Sequence, residues 1–117
     1  GGKRLTIILA VLEGEDLHDT LLEEYIRVIN RSLRNETDWA GQYIGNVLFV
    51  ALDDVDEPTA NQIKNRIDLN YRIALEKIGR SRDVTVHYAV KALPLDMADP
   101  SAFLRMAYVS LSSEIRT

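Results

Sequence analysis

Residues Leu5 to Leu12 form an almost unbroken apolar run, Leu-Thr-Ile-Ile-Leu-Ala-Val-Leu. A strand covered on both faces reads this way, whereas a half-exposed one alternates. Glu13-Gly14-Glu15-Asp16 breaks the run, and the period then changes. From about Asp16 to Arg34, Leu17, Leu21, Leu22, Tyr25, Ile26, Ile29 and Leu33 recur at three- and four-residue steps, which predicts a helix with one apolar stripe. Acidic residues crowd its start and Arg27, Arg31 and Arg34 its end, an order that suits the helix dipole.

Next come a short segment, Asp38–Tyr43, and a strand-like run, Asn46–Leu52, separated by Ile44-Gly45. This reads as a β-hairpin. Its turn is expected at Gly45-Asn46, because both residues tolerate positive φ. After the polar turn Asp53–Asp56, Asp56 can cap a helix that carries Pro58 in its first turn, where a missing N–H costs nothing. Ala60, Ile63, Ile67, Tyr71, Ala74, Leu75 and Ile78 make that helix's apolar face, and Gly79 its C-terminal cap. Val84–Val90 is a strand of β-branched and aromatic residues. Beyond Leu93-Pro94 a loop leads to Asp99-Pro100, a second cap-plus-proline start, and Phe103, Leu104, Ala107, Tyr108, Leu111 and Ile115 line a last helix. The order β–α–β–β–α–β–α predicts an α+β fold: one domain, a mostly antiparallel central sheet and flanking helices, related to the ferredoxin-like arrangement.

The 117 residues suffice for one core and not two. A hydrophobic fraction of 46% and a charged fraction of 27% are those of an ordinary globular domain. No apolar run approaches the roughly 20 residues needed to cross a bilayer, so no direct membrane contact is expected. A net charge of −4 argues against nucleic acid as a partner, since phosphate contacts need a basic face. Cysteine is absent, which excludes disulfides and thiolate metal sites and fits a reducing, cytoplasmic location. His18 and His87 make no metal-ligand spacing. Gly1-Gly2 reads as a linker remnant or expression scar, and residues 3–117 as a domain excised from a longer protein.

The hairpin carries the most information. Arg34–Asp38, then Gln42-Tyr43-Ile44-Gly45-Asn46-Val47-Leu48-Phe49-Val50, then Arg66-Ile67 follow one another at a spacing that resembles GGDEF domains, the diguanylate cyclase family. In that family an Arg-x-x-Asp motif leads into a strand ending Arg-Tyr and then the Gly-Gly-Asp/Glu-Glu-Phe hairpin. Laid on this chain without gaps, the pattern puts Tyr43 at the tyrosine, Ile44 and Gly45 at the two glycines, Asn46 and Val47 at the two acids and Leu48 at the phenylalanine. The resemblance implies bacterial signal transduction. It also implies two divalent metals in active members, held by a first-strand acid and a hairpin acid, with the oxygen ligands that magnesium requires. Here the first strand is expected to end Ala10-Val11-Leu12, without a carboxylate, and the hairpin offers an amide and a hydrocarbon. Ile44 hinders the close backbone approach that glycine permits. The acidic connection Glu13–Asp16 repels a triphosphate. The expectation is therefore a degenerate GGDEF-like domain that is not an enzyme and carries no cofactor.

Candidate ligand contacts are Arg34, Asp38, Tyr43, Gly45, Asn46 and Arg66. Asp38 matches the acid of the family's inhibitory cyclic-di-GMP site, but Arg34 stands four residues before it rather than three. The alternative is a solvated helix end. Asn46 could donate to a base or ribose, or merely form the turn. Asp53, Asp54, Asp56 and Glu57 lack the ligand spacing of a cation loop and read as a solvated turn with a helix cap. His87 is expected to be a hydrogen-bonded structural histidine. Trp39 reads as core packing, with a partner anchor as the alternative. The function expected is regulatory, through a protein partner or self-association as a dimer. A non-catalytic sensor of GTP or cyclic-di-GMP and an unrelated ferredoxin-like module are the alternatives.

Overall fold

A computed structural model describes residues 4–14, 19–34 and 37–94, together with residues 105, 108 and 109. Strand β1 (Arg4–Glu13) is followed by helix α1 (Asp19–Ser32), the hairpin β2 (Trp39–Ile44) and β3 (Val47–Asp53), helix α2 (Glu57–Lys77) and strand β4 (Thr85–Pro94). The strands form one sheet in the order β2-β3-β1-β4, and every pairing is antiparallel.

The continuous apolar run of β1 has the expected cause: this central strand is covered on both sides. Its even residues Ile8, Ala10 and Leu12 join Leu48, Val50 and Leu52 of β3 beneath the helices, against Leu21, Tyr25, Ile67, Tyr71 and Leu75. The odd residues Leu9 and Val11 face the other way and cluster with Val47, Phe49, Tyr43, Ala89 and Tyr108. Period-two alternation assigns the faces, and both are apolar because both are buried.

Both ends of α2 carry the signals expected of them. The Asp56 side chain accepts from the Thr59 N–H at 2.9 Å, and Pro58 sits in the first turn. At the other end Gly79 takes φ +71°, the Gly79 N–H bonds to Glu76 O and the Arg80 N–H reaches Leu75 O at 2.8 Å. This paired closure satisfies the carbonyls that the helix leaves open.

Buried polar groups under the helices are mutually satisfied. Tyr25 Oη donates to Tyr88 Oη at 3.0 Å, and Tyr88 Oη donates to Asp68 Oδ1 at 2.9 Å. Tyr71 Oη donates to the Leu21 carbonyl at 2.9 Å while its ring meets Tyr25 edge-on. Burial pushes the Tyr71 phenol up to about 12 and raises those of Tyr25 and Tyr88 further. Thr6, the one buried polar residue among those described, donates to the Val55 carbonyl.

Two strands exceed their expected bounds. β1 runs on to Glu13 and β4 to Pro94, because the two pair continuously from Arg4↔Pro94 to Glu13↔Thr85. A proline is tolerated there because β4 is an edge strand. Trp39 is not core: it starts the other edge strand and is 50% exposed. The Asp99-Pro100 start and most of the last helix lie outside the described residues. Arg105, Tyr108 and Val109 are helical.

Candidate functional site

The residues of interest fall at two ends of the β2–β3 hairpin. At the open end, the turn between α1 and β2 brings the Asp38 N–H to the Arg34 carbonyl at 3.0 Å. That geometry makes the four-residue spacing productive. Arg34 Nε and Nη2 donate to Asp38 Oδ2 and Oδ1 at 2.9 and 2.7 Å, a two-pronged pair. The Arg34 N–H adds a third bond to Asp38 Oδ2. Nη2 also reaches the Asp53 carbonyl at 2.8 Å, and the Asp53 N–H approaches Asp38 Oδ1 at 3.4 Å. The two residues thus meet, but they grip each other and the end of β3. The Asp38 side chain is only 3% exposed. Burial pushes its carboxyl up, but the bonds from Arg34 outweigh this and leave it below the ordinary value, while Asp38 raises the Arg34 guanidinium.

At the closed end the turn falls at Gly45-Asn46, one residue beyond the Ile44-Gly45 spacer. Gly45 adopts φ +51°, where a side chain is disfavoured. Asn46 does not share that conformation; its side chain donates through Nδ2 to the Leu12 carbonyl, and its own carbonyl accepts from the Leu12 N–H at 3.0 Å. This amide ties the hairpin to the end of β1. Val47, at the second acid position, points into the outer-face cluster and is 2% exposed. Tyr43 packs obliquely on Tyr108, with ring centroids 6.0 Å apart. Arg66 lies exposed on α2, and no hydrogen bond or ion pair joins it to the hairpin among the described residues.

One chemical group here escaped the sequence reading. Because β1 extends to Glu13, the strand does end in a carboxylate. Glu13 Oε2 lies 2.7 Å from His87 Nε2 on β4. Its place on β1 follows from pairing with Thr85 of β4, which no neighbouring residue signals. His87 is accordingly a hydrogen-bonded histidine, as expected. In the acidic turn, Glu57 Oε1 accepts from the Ala92 N–H of the edge strand at 3.0 Å.

No family model and no curated protein matches the sequence. Solved structures do. The active GGEEF domain of a diguanylate cyclase from Vibrio cholerae aligns with a TM-score of 0.71 at 14% identity, covering 97% of this chain and 77% of its own. The fold is that of the GGDEF domain. The diguanylate cyclase SiaD from Pseudomonas aeruginosa, solved with its activator SiaC, aligns with a TM-score of 0.72 at 19% identity, covering 97% of this chain and 46% of that one. The GGDEF domain of DgcB from Caulobacter crescentus, solved with c-di-GMP, gives 0.71 at 13% identity, covering 98% of this chain and 74% of that one. No helix among the described residues is long and apolar enough to cross a membrane.

Proposed function

We propose that this domain is a catalytically inactive, GGDEF-like regulatory module, acting in the bacterial cytoplasm through contact with a protein partner or with a second copy of itself. The observation that carries this reading is the hairpin tip. Where the resemblance expects two carboxylates, Asn46 ties down β1 and Val47 is buried. A triphosphate condensation needs cations gathered by hard anionic oxygens, and neither side chain supplies one. Glu13 supplies a first-strand carboxylate, but it is engaged by His87, and the hairpin offers no acid at Asn46 or Val47 to pair with it. The test is incubation with GTP and magnesium: no cyclic dinucleotide should form, and clear turnover would overturn the reading.

A second reading, a sensor that holds GTP or cyclic-di-GMP without turnover, draws support from a pocket of about 200 Å³ between α1 and the hairpin. Its lining includes Leu22, Ile26 and Leu48, but also Asp19 and Glu23, which disfavour a phosphate. The Arg34–Asp38 pair would have to open to hold a base. Calorimetric titration separates the readings. Absence of heat at ligand concentrations of about 1 mM, equivalent to ~4 kcal/mol, excludes the sensor; saturable binding would favour it.

A further inference from the structure

Helix α2 has two apolar stripes. Ala60, Ile67, Tyr71 and Leu75 are buried against the sheet and α1. Leu69 and Ile73, one turn apart, face outward and are 60% and 43% exposed, and the C-cap residue Ile78 just beyond the helix is 52% exposed. By contrast, Ile26 is the one large apolar residue of α1 left exposed. An outward stripe on a helix already buried on its other side marks a surface for another element.

Ile73 and Ile78, though not Leu69, line a groove of about 440 Å³ between α1 and α2, together with Val28, Arg31, Ala74 and Lys77 among others. The α1 wall repeats at residues 24, 28 and 31 and the α2 wall at 70, 73, 74 and 77, so the walls are two helical ridges. A third helix fits such a furrow. Charge selects its chemistry. Among the described residues Glu24 is the groove's only acid and is held by Arg27 at 2.9 Å, whereas Arg31 and Lys77 form no ion pair. A two-fold contact of the groove with itself would bring these cations together, which disfavours a second copy.

We infer that the α1/α2 groove receives an amphipathic helix whose apolar anchors, at i, i+4 and i+7, are flanked by Asp or Glu. This rests on the reading of the domain as a protein-contact module and names the partner's chemistry. The groove shares no lining residue with the hairpin, so a cyclase assay and a groove assay report on different claims.

The probe is a side-chain-stapled helical peptide with leucine at i, i+4 and i+7 and glutamate on both flanks, titrated into the isotope-labelled domain by NMR. A second peptide carries lysine in place of every glutamate. The acidic peptide should shift the amides of Val28, Ile73, Ala74 and Ile78 and lose at least tenfold in affinity on the double substitution Arg31→Glu, Lys77→Glu. The lysine peptide should bind that variant better than it binds the native domain. Equal affinities for the two peptides, no shifts, or shifts confined elsewhere would overturn the inference. So would sedimentation of the native domain as a dimer that Ile73→Asp dissociates, since the groove would then belong to a second copy.

Discussion

Around the hairpin, Arg34 holds Asp38 and the Asp53 carbonyl, Asn46 holds Leu12, His87 meets Glu13, and Val47 is buried. Along the α1/α2 groove, Ile73 and Ile78 lie open and Arg31 and Lys77 have no ion-pair partner among the described residues. A binding or catalytic cleft keeps convergent polar groups available for a ligand. The hairpin turns those groups onto its own backbone, as the tyrosine network under the helices does. The groove leaves its surface available. In this domain the hairpin that resembles the GGDEF pattern and the groove proposed for recognition are different places.

Substitutions should separate the two regions by size of effect. Tyr71→Ala removes a buried ring and its bond to Leu21, and should cost about 3–5 kcal/mol in denaturant unfolding. This sets the scale of the interior. Asp38→Ala should cost about 1.5–3 kcal/mol, because it strips a charge-assisted pair and leaves the Asp53 backbone short of a partner. A cost near zero would mean that the pair is a solvated helix end after all.

The same pair gives a pH signature. The folded Asp38 carboxyl lies below its ordinary value of 3.8. Its contribution is therefore complete above that pH and is lost as pH falls through the depressed folded value. Acid unfolding of Asp38→Ala should accordingly be shallower below pH 3.8 than that of the native domain.

Asn46→Asp restores the first hairpin acid but sets a carboxylate against the Leu12 carbonyl. It should cost about 1–3 kcal/mol and confer no cyclase activity. A variant of undiminished stability would show that the amide does not tie the hairpin to β1. The smallest effect belongs to the groove. Ile73→Ala should change stability by no more than about 0.5 kcal/mol, as at other exposed positions. A loss of 2 kcal/mol or more would mean that Ile73 packs within the fold.

Much of the scaffold was legible from local pattern. The two-sided run of β1, the stripe of α1 and the Asp56–Pro58 and Gly79 ends of α2 each reflect a short-range rule that the structure obeys. The departures are all matters of tertiary pairing. Glu13 joins β1 because Thr85 pairs with it across 72 residues of chain, and neither neighbour of Glu13 announces this. Trp39 is exposed because β2 became an edge strand, which depends on sheet order rather than on composition.

The structure brings Arg34 and Asp38 together, although their spacing is one residue longer than that of the family motif. The turn that reconciles them is a backbone feature, and so is the Asp53 carbonyl that completes the cluster. The outward stripe of α2 was invisible for a related reason. Ile78 reads as part of the apolar face of α2 but is 52% exposed, because it caps the helix beyond the inner face that Ile67, Tyr71 and Leu75 occupy, and Ile73 lies outside the face that the spacing predicts.

The most direct test is prolonged incubation of the native domain with GTP and magnesium or manganese, read by mass spectrometry for the cyclic dinucleotide. The account predicts unchanged GTP and no product above a protein-free control. Product accumulating in proportion to domain concentration would contradict it.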